Sequence, residues 1–427
     1  AEEVVNRLPL LAGDKPSGDA AADRELARKQ RLQEFIVEFA SVAFRRTIDD
    51  QQATQLRERP FEDQTSMEAA VRRAIAWIFC SPEFLYTDMT PGGQSPSQHT
   101  IARRLALCLW DSIPDARLFA AAEAGQLSTP QQVELEVGRM LDDLRTRHKL
   151  RGFFHHWLHL EERDLTKDQS LFSGFDELVF ADLRYSLELF LDNVVWSSSS
   201  DYRQLLVSQD FWANQRLQEL YRDNGRDPAQ SGKHVHSNSS AIPDKNGFEP
   251  VMLDDGNRAG VLTHPYLLSA LAYHNNTSPI HRGVFVTRNV LGRSLRAPPV
   301  AIAFENDEFP PDLTMRQKVA HLTQDASCLS CHTIINPLGF SLEHFDAVGR
   351  WRDTENGTPI DSVSDYETED GETVRLANPR DVAQLAVGSK AAHRAFVQQM
   401  FQHLTKQAPA AYGPNVLADL VDAFEED

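Results

Sequence analysis

The sequence predicts a mainly α, multi-domain helical protein with few short strands. In two long stretches, apolar residues recur at steps of three and four, the period of an amphipathic helix. Only a short segment, Thr373–Leu376, has the extended pattern of a strand. The helical positions are Leu32, Phe35, Ile36, Phe39, Val42 and Ala43 in the first stretch and Leu183, Leu187, Phe190, Leu191 and Val194 in the second.

Composition excludes several classes of protein. The chain has 427 residues, 41% hydrophobic and 25% charged, which is typical of a folded protein and not of a disordered or collagen-like one. At roughly 150 residues per domain, the length indicates about three domains. The longest apolar run, residues 74–80, ends at Ser81 and Pro82 and is shorter than the roughly 20 residues of a membrane span. We therefore expect no membrane span.

The net charge indicates which partners the protein favours, whereas the first residues do not indicate its location. With 43 Lys and Arg against 62 Asp and Glu, the net charge is −19. A field of this sign repels nucleic acid and favours a basic partner protein. The first residues, AEEVVNRLPLLAG, have neither the basic start nor the apolar core of a signal peptide, so they are compatible with a mature or trimmed terminus and do not indicate a location.

A C-L-S-C-H motif carries most of the functional information. Cys328 and Cys331 are separated by two residues, and His332 follows at once. This is the attachment motif of c-type haem, in which two thiols form thioethers with the porphyrin and the adjacent imidazole becomes the proximal iron ligand. The motif predicts one covalently bound haem c.

Two other interpretations of the motif fit less well. A zinc site would need two more ligands at close spacing, yet the other cysteines, Cys80 and Cys108, lie about 220 residues upstream. A thioredoxin-like pair would need a preceding strand, and residues 322–327 do not have the pattern of a buried strand.

Turn-rich and polar stretches divide the chain. Residues 90–97 (TPGGQSPS) and 223–247 are rich in turn-forming and polar residues, and an acidic run begins after Trp351. We expect a short helix over 314–323 that leads to the motif, a helix over 283–291, and two more over 380–386 and 391–406. The expected divisions are an N-terminal helical domain (1–95), a second helical domain (96–222), a polar linker (223–250), a haem-attachment domain (251–353) and a C-terminal segment that completes it (354–427).

Several segments resemble one family. Residues 39–48 (FASVAFRRTI), 101–114 (IARRLALCLWDSIP), 258–292 and 328–352 are similar to successive signature segments of the exported haem-c proteins, abundant in planctomycetes, that are built from consecutive domains of unknown function. The resemblance covers nearly all of the chain and is most specific over 277–352. It implies export, for example to the periplasm, a covalent haem in a C-terminal cytochrome c-like domain, and a redox role, but no substrate. Members are often longer at the N-terminus.

Three classes of function remain open. The first is an electron carrier whose iron has six ligands. The second is a haem enzyme, similar to a peroxidase or an oxidase, with a vacant distal position. The third is a helical binding scaffold in which the haem is structural. The sequence favours the first class.

The distal iron ligand has several candidates. Between His332 and the helix over 391–406 there is no Met, and Met400 lies inside that helix. We place His281 first because Pro279 and Gly283 supply turn residues around it. His264 and His274 follow, then Met400, and an open iron is the remaining alternative.

Arginines near the motif are candidate partners of the haem propionates. Arg282 is expected near the start of a helix, a position that favours anionic groups, and Arg350 and Arg352 follow the motif. Ordinary ion pairing is the alternative for all three. Phe345 and Trp351 are expected in the core.

Three further groups of residues have a metal-binding or covalent interpretation. His155 and His159 are four apart, which suits a shared metal, but the apolar residues around them favour a place at the edge of the core. The acidic stretch over 361–372 lacks the spacing of an EF-hand loop, and we expect a solvated loop. Cys80 and Cys108 could form a disulfide or remain buried thiols.

Overall fold

The computed structural model describes nine parts of the chain. They are residue 7 and residues 21–62, 66–86, 95–160, 165–222, 235–237, 244–253, 257–296 and 309–426. The helices, strands and contacts described in this structure lie within these residues.

The mainly α prediction is confirmed. The helices, in chain order, are α1 (Ala21–Phe44), α2 (Asp50–Glu58), α3 (Met67–Cys80), α4 (Pro82–Leu85), α5 (Gln98–Trp110), α6 (Ala116–Glu123), α7 (Pro130–Leu141), α8 (Leu144–Trp157), α9 (Glu177–Val195), α10 (Gln204–Val207), α11 (Gln215–Arg222), α12 (Pro265–Ala270), α13 (Pro279–Phe285), α14 (Met315–Leu322), α15 (Ala326–Phe340), α16 (Pro379–Val387), α17 (Lys390–Thr405) and α18 (Val416–Glu426).

The strands are short, and the described pairs are antiparallel. A three-stranded sheet has the order β1 (Asp210–Ala213), β3 (Glu249–Leu253), β2 (Val235–Ser237). Two hairpins follow the motif, β4 (Thr354–Glu355) with β5 (Thr358–Pro359) and β6 (Ser364–Glu367) with β7 (Thr373–Leu376). The strand expected over Thr373–Leu376 is therefore confirmed.

The chain forms two compact units, residues 1–150 and residues 151–427. The expected boundary near residue 95 follows a stretch, 87–94, that lies outside the described residues, as does most of the expected linker. The five domain divisions drawn from the sequence stay predictions.

The first unit buries most of the predicted stripe of α1, but Val42 near the end of the helix is 53% exposed. Leu32 and Ile36 of this helix are fully buried and pack with Val71 and Ile75 of α3. Helix α3 ends at Cys80, where the side chain of Ser81 accepts the backbone N–H of Glu83 and so begins α4, as expected for a Ser-Pro pair. A second cluster in this unit forms around Trp110 of α5.

The second unit has a larger core that draws on distant parts of the sequence. The predicted stripe of α9 is buried, and Leu187, Phe190 and Leu191 pack in one cluster with Leu338 of α15 and Phe396 of α17. Since one cluster contains residues from α8 to α17, these helices form a common core that positions the motif helix.

Helices α13 and α15 cross with their backbones in contact. A Cβ atom added at Gly283 of α13 would lie 2.2 Å from the carbonyl oxygen of Ile335, and one added at Gly339 of α15 would lie 2.0 Å from that of Pro279. The pairing of 283 with 335 and of 279 with 339 makes the crossing antiparallel. Only glycine permits this approach, because any larger residue carries a Cβ.

Helix α13 starts earlier than expected and changes its pitch. Ser278 accepts the backbone N–H of His281, and Pro279 occupies the first helical turn, so the helix begins at Pro279 and not at Gly283. It continues as a π-helical turn, Val286–Val290, which packs against α15. The side chain of Asn289 donates to the carbonyl of Trp157 at 2.7 Å, and the Trp157 indole donates to the carbonyl of Asn289 at 2.8 Å.

Helix α15 has two different halves. Residues 326–333 are exposed or half-buried, whereas Ile335, Pro337, Leu338, Gly339 and Phe340 are buried. Pro337 lies inside the helix and has no N–H to donate to the carbonyl of Thr333, so the hydrogen-bond ladder is interrupted between the halves.

Replacing Gly283 by Ala should destabilise the protein by about 1–3 kcal/mol, because the new methyl group forces the α13 and α15 backbones apart. Gly138→Ala is the matched control, since Gly138 lies inside α7 with no atom within 4 Å of its added Cβ. It should be neutral or stabilise by up to about 1 kcal/mol through helix propensity. Denaturant unfolding measures both changes, and equal effects would contradict the packing role of Gly283.

Candidate haem-attachment site

The C-L-S-C-H motif occupies the exposed half of α15. Helix α14 was expected over 314–323 and is confirmed as Met315–Leu322; Thr314 and Gln317 form a capping box at its start. A short turn then leads into α15, so no strand precedes the cysteines, as expected. Cys328, Cys331 and His332 are half-buried, and Leu329 between the cysteines is 42% exposed.

The imidazole of His332 is held through one of its ring nitrogens. His332 Nδ1 lies 2.9 Å from Oδ1 of Asn336, one helical turn further on. The amide nitrogen of Asn336 donates in turn to Oγ1 of Thr323 at 3.0 Å. Metal-bound histidines generally have their second ring nitrogen engaged in this way. The contact leaves Nε2 for another partner.

The chemistry of the donor groups fits a covalently attached haem. Both cysteines are free thiols, and they lie about one helical turn apart on the same helix as His332. Among the described residues, no group of three or more His, Cys, Asp or Glu side chains is arranged to hold a metal ion. Haem attachment needs only the two thiols and one imidazole, whereas a structural zinc site needs four ligands.

The three arginines proposed for the propionates all contact the segment that follows α15. Arg282 is 0% exposed, and its Nη atoms donate to the carbonyls of residues 342, 345 and 346 at 2.8–2.9 Å. Arg350 donates to the Asp346 carboxylate at 2.8 Å, and Arg352 donates to the carbonyl of Glu343 at 3.2 Å. Arg350 and Arg352 are partly exposed, so solvent reaches these two and not Arg282.

Glu343 lies at the centre of this arrangement. It is 2% exposed, and its carboxylate accepts from Thr277 Oγ1 at 2.8 Å and from Arg282 and Arg352 at 3.3 Å each. Burial raises the pKa of Glu343, while the two guanidinium groups act in the opposite direction. Burial also lowers the pKa of Arg282 to about 10. A buried pair of this kind is costly to break, because the remaining charge has no counterion.

His264 is buried in the second unit with both ring nitrogens engaged. Its Nδ1 accepts the backbone N–H of Tyr266 at 3.3 Å, which caps α12, and its Nε2 lies 3.3 Å from the hydroxyl of Ser186. That hydroxyl donates to the carbonyl of Trp212, so it accepts from Nε2–H. Burial, with a smaller contribution from Arg258, lowers the pKa of His264 to about 3.

The other distal candidates lie on separate elements. His274 is exposed, and its Nδ1 lies 3.1 Å from the carbonyl of Thr166. His281 is exposed in the first turn of α13, with its ring 5.2 Å from that of Tyr273. Met400 is half-buried on α17 and packs against the main core cluster. The structure thus brings the two cysteines and His332 together on α15 and leaves the four distal candidates elsewhere.

The other residues singled out from the sequence are a pair of histidines, the two upstream cysteines and two aromatic residues. His155 is half-buried with Nε2 3.9 Å from the Glu188 carboxylate, while His159 is exposed beyond the end of α8. Cys80 is exposed and Cys108 half-buried, and both are free thiols rather than a disulfide. The residues expected in the core, Phe345 and Trp351, are buried, which confirms that prediction.

The acidic stretch was expected to be a solvated loop, and this is wrong for residues 364–367, which form strand β6 because they pair with β7. Its exposed carboxylates Asp361, Asp365 and Glu369 lie within 4 Å of arginine side chains. In the described part of the chain, no helix is both long enough and apolar enough to cross a bilayer.

Sequence reasoning missed the residues that support the motif. Asn336 follows His332 by four positions, and this spacing would have signalled a contact only if a helix had been predicted over the motif, which it was not. Glu343 gave no signal, because a carboxylate near two arginines in sequence looks the same whether it is buried or exposed.

Comparison with known proteins identifies two stretches of the chain. Residues 97–222 match the family model PSD4, described as a protein of unknown function (DUF1592). Residues 258–355, which include the motif, match PSCyt3, described as a protein of unknown function (DUF1588). No curated protein and no solved structure matches the chain. The resemblance is thus supported for two domains, and neither description assigns an activity.

The buried neutral His264 should make the protein less stable in acid. Its folded pKa of about 3 is below the ordinary 6.5, so the unfolded chain binds the proton first and stability is lost as the pH falls from about 6.5 towards 3. In His264→Asn, which keeps a helix-capping oxygen, the slope of unfolding free energy against pH between about 6 and 4 should be shallower by about 1.4 kcal/mol per pH unit. The unfolding free energy of wild type and His264→Asn is measured by urea titration at each pH. Equal slopes of this free energy against pH in the two proteins would contradict the prediction.

Proposed function

We propose that the chain is a c-type cytochrome that carries one covalent haem and transfers electrons in an exported redox system. The observation that supports this proposal most directly is the placement of Cys328, Cys331 and His332 on the outward half of α15, with Nδ1 of His332 engaged by Asn336. Cys328 and Cys331 would form the thioethers, and His332 would bind the iron through Nε2. When bound, the haem would supply an iron centre that cycles between two oxidation states.

In this activity the protein would position the haem and supply the charges around it. The buried half of α15, fixed by its crossing with α13, holds the motif in place. Arg350 and Arg352 are each paired with a carboxylate but are partly exposed, so their remaining N–H groups would be the ones that reach propionates. The net charge of −19 favours a basic redox partner, and exchange with such a partner would weaken as salt screens the charges.

A haem enzyme is the second candidate, and the placement of the distal candidates favours it. His264 has both ring nitrogens engaged, and His274 lies against a backbone carbonyl. His281 lies on α13 between Pro279, which meets Gly339 of α15, and Gly283, which meets Ile335, and its exposed ring lies 5.2 Å from that of Tyr273. If no side chain reaches the iron, a sixth position is open to peroxide or oxygen.

Haem attachment should require both thiols of the motif. When the protein is exported together with haem-attachment machinery, the Cys328→Ser, Cys331→Ser double variant should lose covalent haem, because no sulfur remains to form a thioether. The Cys80→Ser, Cys108→Ser double variant is the matched control and should stay fully loaded. Acid-acetone extraction measures the outcome, since thioether-bound haem stays with the polypeptide.

Two results would count against the proposed attachment. One is a fully loaded Cys328→Ser, Cys331→Ser protein, and the other is an exported wild-type protein that carries no haem. Protein made in the cytoplasm should also lack haem, because attachment takes place on the oxidising side of the membrane.

Carbon monoxide should distinguish the carrier from the enzyme. An iron with six strong ligands leaves the optical spectrum of the reduced protein unchanged when the gas is added, and this is the result expected for an electron carrier. Substitution of the sixth ligand by Ala should then create gas binding, which makes His281→Ala and Met400→Ala the first variants to compare. A wild-type spectrum that shifts with the gas would instead support the haem enzyme.

A further inference from the structure

A hydrogen-bond chain links the motif histidine to the backbone of the preceding helix. Oγ1 of Thr323 lies 2.8 Å from the carbonyl oxygen of Val319 on α14, Nδ2 of Asn336 lies 3.0 Å from Oγ1 of Thr323, and Oδ1 of Asn336 lies 2.9 Å from Nδ1 of His332. Thr323 is buried, while Asn336 and His332 are half-buried.

The direction of this chain is set at its far end. A backbone carbonyl can only accept, so the Thr323 hydroxyl must donate its single proton to Val319. Its oxygen can then only accept from the amide nitrogen of Asn336. The Asn336 oxygen therefore faces His332 and accepts from Nδ1–H.

The opposite orientation of the Asn336 amide is unfavourable. With the amide turned over, its oxygen would face the oxygen of Thr323, whose proton is already given to Val319, so a short contact between two acceptors would replace a hydrogen bond. In that orientation the amide N–H would also point at Nδ1 and require the Nε2–H form of His332. The Nε2–H form cannot bind a metal through Nε2, because that nitrogen carries the proton.

We propose that Asn336 is a positioning residue for His332, and that Thr323 and the Val319 carbonyl orient it so that His332 holds its proton on Nδ1. This inference rests on the proposed function, since its consequence is a lone pair on Nε2 that is ready for iron. The acceptor is a neutral amide, so it places no negative charge behind the ligand. A carboxylate at the same position would make the imidazole a stronger donor and would stabilise the oxidised iron.

The first test uses protein without haem. Nitrogen chemical shifts of the His332 ring, measured by NMR at about pH 8 where imidazole is neutral, report which nitrogen carries the proton. Wild type and Thr323→Ser, which keeps the hydroxyl, should show mainly the Nδ1–H form. Thr323→Val and Asn336→Leu should each raise the ratio of Nε2–H to Nδ1–H by about threefold to tenfold, as expected for loss of one net hydrogen bond.

The second test uses the haem-loaded protein. Asn336→Asp should lower the equilibrium constant for one-electron reduction by at least about tenfold, which corresponds to about 59 mV in midpoint potential. Thr323→Ser should leave the potential unchanged. Asp has the size of Asn and keeps an acceptor for Nδ1–H, but it has no N–H for the Thr323 oxygen, so the Thr323 hydroxyl would donate to the carboxylate instead of to Val319.

The outcomes separate the inference from the proposed function. An unchanged tautomer ratio in both Thr323→Val and Asn336→Leu would overturn the inference, and so would a potential that does not fall in Asn336→Asp. If the ratio shifts as expected but wild-type protein never acquires haem, the positioning of His332 stands and the proposed function fails. Thermal unfolding of each variant verifies that it folds. Asn336 is half-buried whereas Thr323 is buried, so Asn336→Leu keeps the test usable if Thr323→Val is unstable.

Discussion

The contact between the backbones of α13 and α15 is the constraint on which the rest of the second unit depends. Gly283 and Gly339 let the two helices touch, and this contact buries the second half of α15 while the half that carries the motif faces outward. The same crossing brings Arg282 over the segment after α15, where its guanidinium binds three carbonyls and the buried Glu343. A helix held this firmly at one end can present two thiols at the other, where the imidazole of His332 is fixed in addition by Asn336.

Much of the fold could be predicted because it follows from local patterns. The apolar stripes of α1 and α9 and the short helix before the motif appear where their periodicity places them. The start of α13 was misplaced because Ser278 and Pro279 act as a cap and a first turn, which carry no apolar period. The close crossing could not be predicted, because Gly283 and Gly339 are 56 residues apart in the sequence, and a glycine shows only that its backbone is unrestricted, not which backbone it meets.

The candidate site was predictable to a similar extent. The two cysteines and His332 are contiguous, so their spacing alone indicates the chemistry. The roles of the arginines depend on burial, and burial is a tertiary property: Arg282 is fully enclosed, although its place near a helix start is equally typical of a solvent-facing anion site. The hydrogen-bond chain from Val319 to His332 joins two helices. Its two end contacts, Thr323 with Val319 and Asn336 with His332, join residues four apart and are implied by helical spacing, whereas the contact of Asn336 with Thr323 between the helices is not.

The interruption at Pro337 bears on how the polypeptide is matured. Residues 326–333 contribute no buried side chain, and the carbonyl of Thr333 receives no hydrogen bond from Pro337. Unwinding this half of α15 therefore exposes little apolar surface, and local opening costs much less free energy than unfolding of the unit. Under the proposed function, an enzyme that grips an extended cysteine peptide could thus act on a chain that has already folded, and haem attachment would not have to precede folding.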